Sequence, residues 1–276
     1  MKLCRIQTDE GIKPAMVDNN GNLHDLSSRI DDIETALLRQ GGLTDAPDDL
    51  PAIKGRYAPA LADIGRIFCI GLNYSDHAKE AGLPTPEHPI VFMKVCAPTG
   101  ANDPIIVPKG SEKTDWEVEL GVVIGQTAQH VSVDDALSYV AGYCVMNDVS
   151  ERAFQMDMGG QWVKGKSCDS FAPVGPWLVT PDEVPDPQDL TMYLDVNGQR
   201  RQTGHTGTMI FSVAEIIAHL SRFITLHPGD VISTGTPPGV GLGMTPPTFL
   251  KAGDVVEAGI EGLGVQRQDV IPFTDA

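Results

Sequence analysis

The chain lacks any Cys-x-x-Cys pair, and its five cysteines (Cys4, Cys69, Cys96, Cys144 and Cys168) are odd in number and scattered. That distribution points to reduced thiols and away from a disulfide framework or a zinc knuckle. No stretch of about eighteen apolar residues occurs, and the N-terminus lacks the apolar run of a secretion signal. A soluble, cytoplasmic protein with no membrane partner is therefore expected. Positive charge is scarce: 20 Lys and Arg stand against 37 Asp and Glu, a formal net charge of -17. A nucleic-acid binder needs a basic surface to neutralise phosphates, so that class is set aside. Internal repeats and low-complexity segments are absent too.

What remains is an ordinary globular composition over 276 residues, enough for a large core and a smaller appendage. Residues 1–63 read as a small N-terminal domain. Short strands are expected at Met1–Thr8, Pro14–Val17 and Leu23–Leu26, and a helix over Ile30–Arg39. A Pro- and Asp-rich link, Asp45–Pro51, follows. Residues 64–276 read as many short strands with few helices, a β-rich barrel, roll or sandwich. The clearest hairpin is Leu190–Val196 and Gln199–Gln202 around Asn197-Gly198, and the clearest helix is Ser212–Phe223, opened by a Ser212/Glu215 capping box. Its apolar face is Ile216, Ile217, Leu220 and Phe223.

Four stretches carry potential chemistry. Asp115–Gly125 predicts a strand on which Glu117 and Glu119 share one face, roughly 6–7 Å apart at two steps of strand rise. Such a pair suits a hard cation such as Mg²⁺, Mn²⁺ or Ca²⁺; it equally suits the wetted face of a half-exposed strand. Asp148, at the end of an apolar strand, is either a third oxygen ligand or a helix N-cap paired with Glu151. His77 and Glu80, at i and i+3 of a short helix capped by Asn73 or Ser75 and ended by Gly82, form either a base with its orienting carboxylate or an exposed ion pair. The segment Thr234–Gly241 offers amides and a hydroxyl to a substrate carboxylate, or is a rigid turn.

Gly160-x-x-x-x-Gly165-Lys166-Ser167 matches a phosphate-binding loop letter for letter. That loop needs a buried strand before it and a helix after it, and neither is expected here. Lys166 remains of interest as a cation in a loop.

Together, Gly71-x-Asn73-Tyr74-x-x-His77-x-x-Glu80, Glu117-x-Glu119-Leu120-Gly121, Asn147-Asp148-Val149-Ser150-x-Arg152-x-x-Gln155, Lys164-Gly165-Lys166-Ser167 and Gly235-Thr236-Pro237-x-Gly239-Val240-Gly241 resemble the fumarylacetoacetate hydrolase family. The resemblance spans roughly residues 64 to 271. It is nearest the bacterial subgroup acting on 2,4-diketo-3-deoxy-L-rhamnonate and L-fuconate, often labelled ureidoglycolate lyase. It implies an α+β, β-rich mixed β-roll with a small N-terminal domain, usually as a homodimer. It further implies a Mg²⁺ ion (Mn²⁺ or Ca²⁺ substituting) on Glu117, Glu119 and Asp148, and a lid bearing His77 and Glu80. Lys166 would lie near the reacting oxygens, with Arg152, Gln155, Gly235 and Thr236 at the substrate. The implied reaction is hydrolysis of a carbon–carbon bond in a 2,4-diketo acid; decarboxylation, isomerisation or lyase chemistry is the alternative. One departure is Leu72, where many acylpyruvate-cleaving relatives carry a basic residue.

Overall fold

The computed structural model describes residues 1–39, 43, 49–76 and 84–275. In chain order the first strands are β1 (Lys2–Thr8), β2 (Gly11–Val17), β3 (Leu23–Asp25), β4 (Arg56–Tyr57), β5 (Ile67–Gly71), β6 (Ile90–Lys94), β7 (Ile105–Val107) and β8 (Thr114–Asp115). They continue as β9 (Val118–Ile124), β10 (Val140–Asn147), β11 (Ser150–Glu151), β12 (Leu178–Val179), β13 (Thr191–Val196) and β14 (Gln199–His205). The last three are β15 (Val231–Ser233), β16 (Val255–Ile260) and β17 (Gly264–Pro272). Four described α-helices are interspersed: α1 (Thr35–Arg39), α2 (Arg152–Met156), α3 (Val163–Lys166) and α4 (Val213–Ser221). The architecture is the expected β-rich α+β class.

A ten-stranded sheet runs β3-β2-β1-β12-β10-β9-β15-β5-β6, with β4 also on β1, and a five-stranded sheet runs β14-β13-β16-β17-β7. Both are mixed: β15 is parallel to β5 and β17 to β7, while the remaining pairs are antiparallel. The first strand lies directly against β12, so the N-terminal hairpin extends the large sheet. The main core takes Val118, Leu120, Val122 and Ile124 from β9 together with Leu194, Val256 and Ala258 from the smaller sheet. The β-branched run of β9 is buried along its whole length, as a central strand covered on both faces should be.

Local rules account for several elements. Asn197 and Gly198 both have positive φ (54° and 72°), the geometry of a two-residue hairpin turn, and Val196 pairs with Gln199 across it. At α4 the Ser212 side chain accepts from the Glu215 amide while Glu215 accepts from the Ser212 amide, a reciprocal cap.

Other expectations are corrected. The helix expected over Ile30–Arg39 is confined to Thr35–Arg39. Upstream of it, Asp32 accepts from Arg5 Nε and Nη2 at 2.8 Å each and from the Ile33 amide at 2.7 Å, bonds that tie this stretch to β1. Phe223 lies beyond the end of α4 and is 69 % exposed, so the apolar face closes at Leu220. Asp115–Gly125 is two strands, with a break at Trp116-Glu117. There the Glu117 amide donates to the Asn147 side chain at 3.1 Å, in place of a ladder bond. The Asn73 side chain ties β5's exit to two other segments, Nδ2 donating to Phe211 O and Thr234 O and Oδ1 accepting from the Phe211 amide, while most of the short helix expected to follow it, as far as Gly82, lies outside the described residues.

Candidate functional site

Two adjacent strands set the floor of the site. The β9 strand carries Glu119, the break before it places Glu117, and Asp148 follows the end of β10, the antiparallel partner of β9. The main chain joins them as well, since the Asp148 amide donates to Glu117 O at 2.9 Å. One carboxylate oxygen from each of Glu117, Glu119 and Asp148 lies within 4.8 Å of the others, and all three residues are buried. The wetted-face alternative for the glutamate pair therefore does not describe this protein. Nor is Asp148 the N-cap of α2; that position belongs to Glu151, whose carboxylate accepts from the Ala153 amide.

Cations surround this floor unevenly. Lys166 Nζ donates to Glu117 Oε2 at 2.5 Å and to Asp148 Oδ2 at 2.7 Å. Arg152 donates from Nη2 to Glu117 Oε1 (2.6 Å), from Nη1 to Gln155 Oε1 (3.1 Å) and from Nε to Asp115 Oδ2 (2.8 Å). Lys94, fully buried at the end of β6, donates to Asp148 Oδ1 and to Val149 O. Glu119 receives neutral donors, Ser233 Oγ at 2.6 Å and the Gly235 amide at 2.8 Å. Among the described residues no ammonium or guanidinium pairs with it directly.

The protonation equilibria follow this asymmetry. Burial works to raise the Glu117 carboxyl, but Lys166 and Arg152 outweigh it and hold the group at about 2. Burial lowers Lys166, yet Asp148 and Glu117 bring it up to about 12. Glu119 is pushed well above the carboxylate range by burial first, then by Asp148 and Glu117. Four buried acids (Asp115, Glu117, Glu119, Asp148) thus face three buried cations (Lys94, Arg152, Lys166), and Glu119 is the one left over. Glu151 stands apart, capping α2 and held by Ser111 and Thr114. A buried carboxylate without a counter-charge is costly, and an all-oxygen donor set fits a hard divalent cation, which would supply that charge.

The floor opens into a cavity of about 790 Å³ lined by Glu117, Glu119, Arg152, Gln155, Lys166 and Thr236 among others. Lys166 reaches it from the end of α3, so the phosphate-loop lookalike delivers a lysine to this floor; Ser167 Oγ accepts from the Val95 amide. Of the residues expected at the substrate, Arg152, Gln155 and Thr236 line the cavity. The Gly235 amide is engaged by Glu119, and the Thr236 hydroxyl donates to Val118 O while accepting from Gln202 Nε2. The amides expected to be free for a carboxylate are thus partly committed to holding the floor. Leu72 lines the cavity at φ 52°. His77 and Glu80 lie outside the described residues. Lys94 and Asp115 were not singled out in the sequence, although Asp115 opens the acidic stretch.

A family model described as fumarylacetoacetate (FAA) hydrolase C-terminal matches residues 66–271. The chain belongs to the fumarylacetoacetate hydrolase family. A family relative in Burkholderia ambifaria is 54 % identical over 97 % of this chain and 98 % of its own, and its name goes no further than assigning it provisionally to the hydrolases. The solved fumarylacetoacetate hydrolase of Exiguobacterium antarcticum superimposes with a TM-score of 0.90 at 34 % identity, covering 99 % of this chain and 100 % of that one. Maleylpyruvate hydrolase from Sphingobium gives 0.81 at 28 % identity over 99 % and 100 %. A 5-carboxymethyl-2-hydroxymuconate delta-isomerase from Mycobacterium smegmatis gives 0.79 at 31 % identity over the whole of both chains. The family fold thus hosts both hydrolases and isomerases. Among the described residues no helix is long and apolar enough to cross a membrane.

Proposed function

We propose that this protein is a Mg²⁺-dependent hydrolase that cleaves a carbon–carbon bond of a 2,4-diketo acid to release pyruvate and a second carboxylic acid. The observation that carries this reading is the buried Glu117–Glu119–Asp148 cluster, in which Glu119 has no cation of its own, at the floor of a cavity that also presents Lys166 and Arg152. Glu117, Glu119 and Asp148 would hold the Mg²⁺ ion, for which Mn²⁺ or Ca²⁺ would substitute. When bound, the ion supplies electrophilic stabilisation of the negative charge that develops as the bond breaks.

The chain's own residues supply the rest. Arg152 and Gln155, already hydrogen-bonded to one another, orient the carboxylate end of the substrate. Thr236 bounds the same end. His77, oriented by Glu80, takes a proton from the water that attacks the C4 carbonyl. Collapse of the resulting tetrahedral adduct breaks the C3–C4 bond and leaves pyruvate as its enolate. Lys166, kept charged by its two carboxylates, offsets the enolate's charge until carbon takes up a proton. A homodimer belongs to the same reading and rests on the resemblance; a cytoplasmic location belongs to it as well and rests on the scattered, unpaired cysteines. A boundary near residue 63 rests on the composition and turn signals of the first sixty residues.

The test is product analysis. Purified protein with Mg²⁺ and an acylpyruvate should release equimolar pyruvate and carboxylic acid, and both Glu119→Gln and His77→Ala should abolish this. If both variants turn over at the wild-type rate, the assignment is wrong. The isomerase likeness supports a second reading, in which the same floor stabilises an enolate without a bond being cleaved; an isomer as sole product would select it.

A further inference from the structure

The cavity above the polar floor is walled on its other sides by Leu72, Phe92, Met156, Trp162, Leu242 and Met244. Several of these are uncovered: Met156 is 53 % and Leu242 36 % exposed. The aromatic part of the wall is fixed. Trp162 packs so closely on the backbone of β5 that a Cβ on Gly71 would come within 2.7 Å of its ring, and it meets Phe92 edge-on at 5.2 Å between centroids. Leu72 holds its place on the wall in a left-handed conformation, at φ 52°, that a leucine seldom adopts. Strain of that kind persists where surrounding structure over-determines a residue, commonly beside a ligand.

The polar inventory of this wall is short. Among the described lining residues beyond the floor, the side-chain hydrogen-bonding groups are the Trp162 indole and the Thr245 hydroxyl. The cavity's described cations, Arg152 and Lys166, both sit at the floor carboxylates, where the proposed reaction assigns them to the carboxylate end of the substrate and to the enolate. Among the described residues a tail bearing a second carboxylate would find no further cation, and a polyhydroxylated tail would lose hydration at most of its hydroxyls without replacement.

Resting on the reading of the floor as a 2,4-diketo acid site, we propose that the substrate's acyl tail is apolar, an unbranched alkyl or aryl chain lodged against Trp162, Leu242 and Met244. Leu72, an apolar side chain on the same wall, takes part in this selection by offering a charged tail no partner. The sugar-acid tail suggested by the sequence resemblance is disfavoured on the same ground.

Two measurements test this. In the first, kcat/KM with Mg²⁺ is compared across acylpyruvates with acetyl, butanoyl, hexanoyl and benzoyl tails, a fumaroyl tail and a trihydroxylated tail. Each methylene should raise kcat/KM about fourfold, the transfer of one CH₂ out of water. The fumaroyl and hydroxylated compounds should fall at least tenfold below hexanoyl, and Leu242→Lys should narrow or reverse the hexanoyl-to-fumaroyl ratio. Turnover that favours the charged or hydroxylated tail overturns the apolar assignment and leaves the hydrolase reading standing.

The second measurement needs no turnover. Tryptophan fluorescence is titrated with 2-oxooctanoate and with 2-oxoglutarate in the presence of Mg²⁺. Quenching should be at least tenfold tighter for 2-oxooctanoate and should be lost in Trp162→Phe, which keeps Trp116 and Trp177. Equal affinities, or a change that survives Trp162→Phe, overturn the proposal. If no diketo acid is hydrolysed, the hydrolase reading fails and the fluorescence result alone decides the tail site.

Discussion

Arg152 donates from Nε to Asp115 Oδ2 at 2.8 Å, and both side chains are buried. The same carboxylate accepts from the Gly241 amide at 2.6 Å and the Leu242 amide at 3.0 Å. Asp115 thus aims a guanidinium on the cavity floor and fastens a turn at its wall. Asp115→Asn would set an amide NH₂ among these donors and leave Arg152 short of a counter-charge. A loss of about 3 kcal/mol is expected, the low end for breaking a buried pair. It should appear as a lower urea midpoint together with a raised KM. A variant that matches wild type in both has no such coupling.

Removing the divalent ion should be visible in stability before any substrate is known. A ligand that binds only the folded state at about a hundred times its Kd adds about 2.7 kcal/mol. For a chain of this size that is a Tm increase of roughly 5–10 °C. Mg²⁺ or Mn²⁺ should produce it, EDTA should reverse it, and Glu119→Gln should lose it, because Glu119 is the acid without a paired cation. The absence of any shift with Mg²⁺, Mn²⁺ and Ca²⁺ would count against a metal centre.

The parts of the fold legible in the sequence were those set by neighbours in the chain. Asn197-Gly198 dictates its hairpin through two positive φ angles, and Ser212 with Glu215 closes its own cap. The break at Trp116-Glu117 was not legible, because its replacement hydrogen bond comes from Asn147, thirty positions away. Lys94 was invisible for the same reason: at the end of a short strand it reads as a wetted lysine, and only folding brings it to Asp148, 54 positions on. The Glu117-x-Glu119 spacing suits a cation and a wetted strand face equally, and nothing local ties Asp148 to that pair. Their grouping was suggested by family resemblance, and β9–β10 pairing gives it a physical basis.

The cap on α4 offers a check on local stability away from the cavity. Ser212 Oγ accepts from the Glu215 amide at 3.3 Å, and Glu215 Oε2 accepts from both the amide and the hydroxyl of Ser212 at 2.8 Å. Ser212→Ala removes the first contact and weakens the second, at a cost of about 1 kcal/mol. In a chain of this length the Tm should fall by roughly 2–4 °C. Ser212→Thr, which keeps both the acceptor for the Glu215 amide and the hydroxyl donor to its carboxylate, should recover most of the loss. If the threonine is no better than the alanine, the hydrogen bond is not what the serine contributes.

A titrating contact near the N-terminus gives stability a pH dependence of known sign. His24 Nε2 faces Asp18 Oδ2 at 3.2 Å and Nδ1 faces Leu50 O at 3.3 Å; the carboxylate first, then the carbonyl, raise the imidazole above its usual 6.5. A raised folded-state value means the protonated form is favoured by folding. The contribution is therefore complete below pH 6.5 and disappears as pH climbs through the higher folded value. Asp18 is shifted the other way, downward, chiefly by Asn22, and its contribution is constant across neutral pH. The Tm difference between wild type and His24→Gln should accordingly be largest near pH 6 and shrink toward pH 8. Both groups are at the surface, so added salt should reduce the difference at pH 6. A difference that stays level from pH 6 to pH 8 would mean that His24 contributes by packing and not by charge.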